Sequence, residues 1–489
     1  MIIKSGTFAG AFLCLAALSI NAQEEIDFTP PGQIVPVADE GLEDIVDVDE
    51  TSDDFSIPEV TGDDLLTQEF GLYVQLMRDG VFDEADTVAK RVVELAMRLK
   101  GPQSKEAARA LTNLAIVQHQ TGQFDAASQN FQSSIDIIEE IEDRLNSQLI
   151  NPLKGLGASQ LESGRADLAI GTFKRAVHVT HVNEGPHNLD QVELLESLAE
   201  TNLRIGDFDA AKSAQDVIYA LNIREYDLDT LELVPSLMRR AAWQHRAGFI
   251  YDERSTYRRI VRIIESNAGK TDLRLVEPLI KLGKSHFFID TSGSESIGEA
   301  RLSSGEIYFR RAVKIAVENP EPEWQVISQA TLALADFYMY ENNLQRARQV
   351  YKAAWDLLSQ DESRAELRRA ELESGAPIIE QRLPKYVNSE EDVEDDSALQ
   401  QGRIAVTYNI SVRGRVSNLR MAEANPPEFT SMQRYVQREL RRRVFRPILE
   451  DGEPVESAEK MLVHNFFYRQ ADLDALRAEA DSASTDVEE

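Results

Sequence analysis

Few side chains of this 489-residue chain have the type and spacing that chemistry requires. His178 and His181 lie three apart near a helix end, with His187 following, a spacing that sets two imidazoles on one helix face as a zinc site would need. No carboxylate or third ligand is held beside them, so histidines on a polar face are the simpler reading, and no metal or other cofactor is expected. Gly269-Lys270-Thr271 has the ending of a phosphate loop, but Ile264 stands where that loop needs a glycine, and the triplet follows a helical pattern rather than a strand. It is read instead as a joint between repeated units. Arg438, Arg441, Arg442, Arg443 and Arg446 gather guanidinium forks that suit an anionic partner, such as a peptide carboxylate or a cell-wall polymer. The competing reading is a solvated helix face neutralised by the chain's own acidic segments. Ser-His-Asp groupings, paired-carboxylate motifs and glycine-rich nucleotide loops are not found, so catalysis has no candidate residues and no enzyme is expected.

A ladder of glycines organises the elements that would position these groups. Gly80, Gly122, Gly164, Gly206 and Gly248 each stand 42 residues from the next. Around them run columns with a helical period: Leu111, Leu153, Leu195, Leu237 and Leu279 before the glycine, Leu72, Leu114, Leu156 and Leu198 closer to it, and the mostly small Tyr73, Ala115, Gly157, Ala199 and Ala241 alongside. Beyond it come Ala85, Ala127, Ala169 and Ala211, then Ala89, Phe131, Phe173, Gln215 and Tyr257. Each unit is thus a helix, a glycine turn and a second helix. A small residue facing a large one lets the two helices approach, and the apolar face left over is covered only by the next hairpin.

These columns resemble the tetratricopeptide repeat, with Leu111, Leu114, Ala115, Gly122, Ala127 and Phe131 at the signature spacings. The long period, with Gly101-Pro102 and Gly185-Pro186-His187 as joints, is similar to the kinesin-light-chain type of that family. The resemblance implies a solenoid whose first helices line an inner groove for an extended peptide or protein partner. Repeat registration places Arg109, Lys154, Glu200, Arg239 and Lys284 on or near that groove. The sixth unit keeps Leu279, Leu282 and Gly283 in phase, but Phe309 and Ala312 arrive ten places late, which predicts an insertion around 291–300. That insertion holds no His, Cys, Lys or Arg, which speaks against chemistry there. A seventh unit follows with Leu334, Ala335, Tyr338, Asn342, Ala347, Tyr351 and Ala354, and residues 364–373 read as a charged capping helix.

The net charge of −32, with pI near 4.7, argues against nucleic acid as a partner, since phosphates would be repelled. Lys4, the apolar run 8–18 and Ala22 read as a cleaved export signal at 1–22, too short to span a membrane, which needs about 20 apolar residues. Cys14, the single cysteine, would leave with it, and disulfides and thiolate sites leave too. Residues 23–67 contain no Lys or Arg, and an acidic disordered arm is expected over 23–64.

After Pro377 the period changes. Ile404, Val406, Tyr408, Ile410 and Val412 alternate with polar or small residues, Arg413-Gly414 turns, and 416–421 returns as a partner strand. Met432, Tyr435, Val436 and Leu440 form a helical stripe, Asp451-Gly452 turns again, and 461–468 reads as a third strand. In this order, Pro384-Lys385-Tyr386, Gly402-Arg403-Ile404-Ala405-Val406, Gly414-Arg415-Val416, Phe445-Arg446-Pro447 and Gly452-Glu453-Pro454-Val455 resemble the C-terminal domain of TonB energy transducers. The resemblance implies a small sheet with one helix that grips a transporter peptide by strand addition. The chain departs from that family in having a helical solenoid where a membrane helix and Pro-rich rod would stand.

The expected architecture is mainly α. A right-handed α-solenoid of about seven helical hairpins over 65–374 precedes a small α+β (ββαβ) domain over 377–470, and a disordered acidic tail closes the chain at 471–489. The expected role is a periplasmic, non-enzymatic adaptor of a Gram-negative envelope with two protein partners. The alternative is a TonB-like component of energy-dependent outer-membrane transport, acting on outer-membrane receptors. Candidate partner-binding residues are the five groove positions together with Arg438, Arg441 and Arg442.

Overall fold

The computed structural model describes residues 62–288, 305–379, 383–384 and 399–485. The expected signal at 1–22, nearly all of the acidic arm and the insertion at 291–300 lie outside these residues. Seven hairpins follow one another: α1 (Gly62–Arg78) with α2 (Phe82–Lys100), α3 (Lys105–Gln120) with α4 (Phe124–Ile141), α5 (Ile150–Glu162) with α6 (Ala166–Glu184), and α7 (Gln191–Arg204) with α8 (Phe208–Tyr226). They continue with α9 (Val234–Arg246) and α10 (Ile250–Ala268), α11 (Val276–Lys284) and α12 (Glu306–Glu318), and α13 (Trp324–Tyr340) and α14 (Leu344–Leu358).

Every ladder glycine sits at a hairpin bend with positive φ, between 71° at Gly80 and 81° at Gly206. The residue after each glycine returns its N–H to the carbonyl five positions earlier, as in Gln123 to Gln118 at 2.8 Å and Phe249 to Gln244 at 2.8 Å. This is the Schellman ending, which needs a left-handed residue at the position the glycine holds. In the seventh hairpin Asn342 takes that place at φ 57°, asparagine being the residue that tolerates it next best. Gly101, Gly185 and Gly269, 84 residues apart, end the second helices at φ 97°, 89° and 94°, so the apparent phosphate loop is a joint.

Within the hairpins the small column meets the aromatic one. A Cβ on Gly157 would lie 2.7 Å from the Phe173 ring, and one on Gly283 would lie 2.7 Å from Phe309. Phe131, Phe173, Phe309 and Tyr351 are fully buried. A polar staple also recurs across the hairpins: Gln118 to Asn130 at 2.7 Å, Gln160 to Thr172 at 2.8 Å and Gln244 to Thr256 at 2.8 Å. Leu72 departs from its column by being exposed, since no hairpin precedes α1 among the described residues.

The C-terminal module contains β1 (Leu399–Ile410), β2 (Val416–Asn425), α15 (Thr430–Arg442), β3 (Ile448–Glu450), β4 (Glu453–Val455), β5 (Lys460–Arg469) and α16 (Gln470–Thr485). β1 is the centre of an antiparallel sheet ordered β2-β1-β5, while β3 and β4 pair separately through a turn at Asp451 and Gly452 with φ 51° and 79°. Two left-handed residues suit the tight hairpin turn. Met432, Val436 and Leu440 of α15 bury against Ile404, Val406 and Phe466.

Four expectations are corrected. The strand-strand-helix-strand order omitted both the β3–β4 hairpin and α16. The acidic tail is helical to Thr485, and Leu473 is buried in the module's core with Leu476 packed against it. Val412 is exposed, because β1 ends at Ile410. The run 364–373 is not a solvent-facing cap: Leu372 is fully buried and shares the solenoid core with Val444 and Leu449 of the C-terminal module. That module covers the last hairpin, whose apolar face would otherwise stay open.

Two glycines of different kind should respond differently. Gly157→Ala forces a methyl against Phe173 and is expected to cost about 1–3 kcal/mol, whereas Gly248→Ala meets no neighbour and costs about 1–2 kcal/mol through φ alone. Adding Phe173→Leu should rescue the first and not the second, read by urea unfolding.

Candidate functional site

The first helices of successive repeats touch one another, α3 with α5, α5 with α7 and α11 with α13, while successive second helices make no comparable contact. The close-packed row is the inner side of the stack, and its polar residues form the wall of a groove. Ion pairs cross that wall from repeat to repeat. Lys154 of α5 meets Glu193 of α7, Arg239 of α9 meets Glu196 at 3.5 Å, and Arg246 meets Glu200 at 3.3 Å. Arg204 lies 2.9 Å from Glu162 and 3.8 Å from Glu200.

The structure therefore alters the reading of the groove residues. Lys154 is nearly buried, Arg109 is partly buried and engaged, and Glu200 and Arg239 are tied into neighbouring helices. Much of their charge is spent on holding repeats in register. Burial pushes the Glu196 carboxyl up, against the opposing pull of Arg239. Glu193 and Glu196 went unread in the sequence, although each lies on the first helix of the repeat next to that of the cation it meets.

Lys284 differs from the other four. It lines a cavity with Gln325, Ser328, Gln329, Glu371 and Arg446, against an apolar wall that includes Ile280 and Leu332. Burial lowers its ammonium to about 8; Asp336 works the other way, while Arg446 and Lys281 reinforce the drop. Asp336, on the inner side of α13, is almost fully buried and receives Arg446 as a two-pronged fork, Nε to Oδ1 and Nη2 to Oδ2, both at 2.8 Å. The Tyr351 hydroxyl donates to the same Oδ1 at 2.7 Å, and Glu371 meets the remaining prong of Arg446. Burial opposes the Arg446 charge, but the Asp336 carboxylate outweighs it and raises its pKa, and burial raises the Tyr351 phenol.

The arginine cluster is accordingly split. Arg446 is an internal lock between solenoid and module, neutralised by Asp336 and Glu371 rather than by an acidic arm. Arg438 and Arg442 stay exposed, 3.7 Å and 3.3 Å from Glu439, and Arg438 lies over the Tyr435 ring at 5.1 Å. Arg441 is exposed and Arg443 partly buried. The missed partner, Asp336, could have been suspected as a lone acid inside the apolar run Leu332 to Met339.

His178, His181 and His187 are exposed, and among the described residues no three His, Cys, Asp or Glu side chains are grouped to hold a metal ion. No helix among the described residues is long and apolar enough to cross a membrane.

Residues 74–140 match the tetratricopeptide repeat family. Solved structures similar to the chain include a putative kinesin light chain with TPR-like repeats from Podosopora anserina, at 13% identity, covering 41% of this chain and 95% of that one, TM-score 0.37. BtubC from P. vanneervenii is 16% identical over 50% of this chain and 95% of its own, TM-score 0.35. A tetratricopeptide repeat protein from Parabacteroides merdae is 14% identical over 62% and 96%, TM-score 0.33. No curated protein matches the sequence. Tetratricopeptide repeats suggest a protein-interaction scaffold, and no enzymatic family is indicated.

Two outcomes follow from the lock. Asp336→Ala leaves the Arg446 guanidinium buried without its main partner and should cost about 3–5 kcal/mol, while Asp336→Leu with Arg446→Met should recover most of it, measured by urea unfolding. Lys284→Met should stabilise the chain at pH 7, because the buried ammonium is disfavoured in the folded state. Since the folded value is about 8 and the unfolded one about 10.4, wild-type stability rises through that window as the folded lysine loses its proton first. The advantage of the variant should therefore shrink above pH 8, read as the difference between the two melting curves.

Proposed function

We propose that this chain is an exported, non-enzymatic adaptor of a Gram-negative cell envelope, with one partner in the solenoid groove and a second at the C-terminal sheet. The observation that carries this reading is the buried Asp336–Arg446 fork, which joins a repeat groove and an antiparallel sheet in one body. Export rests on the signal-like segment 1–22, and the envelope setting rests on the resemblance of 384–469 to TonB C-terminal domains. Among the described residues β2 and β5 each pair on one side only, with β1, and β5 exposes Met461 and Val463. A partner strand added to such an edge gains backbone hydrogen bonds, with side-chain pockets supplying selectivity. The competing reading, a TonB-like component of outer-membrane transport, draws on the same resemblance and requires residues 1–22 to be kept as an anchor.

Removing everything after Pro377 is a poor test, because Val444 and Leu449 belong to the solenoid core. A charge swap, Glu196→Arg with Arg239→Glu, keeps an internal pair but inverts the groove wall; Met461→Glu with Val463→Glu charges the β5 edge. Affinity purification from envelopes should show each variant losing a different partner. Loss of the same partners by both, or of none by either, would sink the two-partner reading. Intact mass of the mature chain should place its first residue at Gln23, and a chain retaining 1–22 would favour the transport reading.

A further inference from the structure

The second helices of the last three hairpins carry cations in one repeat column. Arg258 follows the buried Tyr257, Arg310 follows the buried Phe309, and Lys352 follows the buried Tyr351. The repeat does not demand this: the same column holds Lys90, Gln132, Lys174 and Asp216 in the earlier hairpins. One turn further along stand Arg262 and Lys314, and all five are exposed.

Three of the five meet a carboxylate, and among the described residues Arg258 and Arg262 do not. Glu306 is 3.8 Å from Arg310 but 3.2 Å from Arg346, Glu318 is 3.9 Å from Lys314, and Asp356 is 3.3 Å from Lys352. Glu265 is taken by Arg311 and Asp252 by Lys212. Among the described residues, no carboxylate lies within ion-pair distance of Arg258 or Arg262. Arg254, one turn before Arg258, is more than nine-tenths buried with Nε unpartnered, and its Nη2 rests on the His286 ring rather than on an acid. Exposed apolar residues interleave with the cations: Tyr251 at 76%, Ile307 at 59% and Val317 at 53%. In a chain of net charge −32 this is a local excess of positive charge beside apolar surface.

We propose that the outer face of α10, α12 and α14 docks the acidic stretch 39–59 of a second copy of this chain. That stretch has no Lys or Arg and mixes acids such as Glu43, Asp44, Asp47 and Asp49 with Ile45, Val46 and Val48, the complement of a band that mixes guanidinium groups with exposed apolar side chains. It leads into α1, the first helix, whereas the band lies on the last three hairpins, at the opposite end of the stack. The contact is therefore head-to-tail, joining two different surfaces, and it propagates from copy to copy unless the rotation closes a ring. Exposed charges are screened at high ionic strength, so the association is salt-dependent.

Sedimentation of the chain from Gln23 onward, over a concentration series, tests this. At about 0.025 M salt it should self-associate, and at about 0.5 M it should be monomeric. Arg258→Glu with Arg310→Glu and Lys352→Glu should weaken association by roughly tenfold or more at low salt, and a synthetic peptide of residues 39–59 should compete. Circular dichroism melting checks that the variant folds; should it not, Arg258→Gln alone with peptide competition serves as the test. A chain monomeric at every concentration in low salt, or association that neither the variant nor the peptide changes, overturns the proposal. Peptide binding to a chain that never self-associates would place the stretch on its own copy and overturn the head-to-tail contact.

Discussion

Asp336 sits inside the last hairpin almost out of reach of water, where an isolated carboxylate would cost several kcal/mol. Arg446 meets it with two parallel prongs from 110 residues away, and Tyr351 supplies a further donor. The geometry needs the 362–373 run and the β3–β4 hairpin to be in place, because Glu371 holds the third prong and Leu449 fills the space beside Leu372. A solenoid hairpin cannot cover its own apolar face. Here the final face is closed by a folded module rather than by a polar helix, and a buried ion pair sets the angle at which the module sits.

Charge is distributed to match that construction. On the inner wall, acids and bases alternate between neighbouring first helices and neutralise one another, so the groove offers a surface of fixed dipoles and half-buried side chains rather than a row of free hooks. At its far end Lys284 faces a cavity that both modules line, and its lowered pKa records burial that outweighs the pull of Asp336. The outer face follows a different rule, since Arg258 and Arg262 meet no carboxylate among the described residues, whereas Arg310 and Lys352 do. A charge that packing does not explain is a better pointer to recognition than one that packing consumes.

Much of the fold was legible because a repeat writes the same instruction many times. A glycine recurring every 42 residues states where a left-handed bend must fall, and Leu, Ala and Phe columns state which helix faces meet. The Gln118, Gln160 and Gln244 staples were present at the same period and went unread, since buried polar pairs carry no hydrophobic signal. The tail misled because its acidity outweighed Leu473 and Leu476, two apolar residues that suffice once a sheet waits to receive them. The arginine cluster was visible as composition, but its division into one internal lock and several solvated forks was not.

The sequence alone determined the hairpins, their bends and the alternating strand β1, because each follows from local periodicity and backbone preference. Tertiary structure decided which charges are spent and which remain. Lys154, Arg239 and Arg446 read like Arg258 along the chain, and only the packing of distant helices brings Glu193, Glu196 and Asp336 to the first three. Pairing depends on distances between elements far apart in sequence, and no local pattern encodes them.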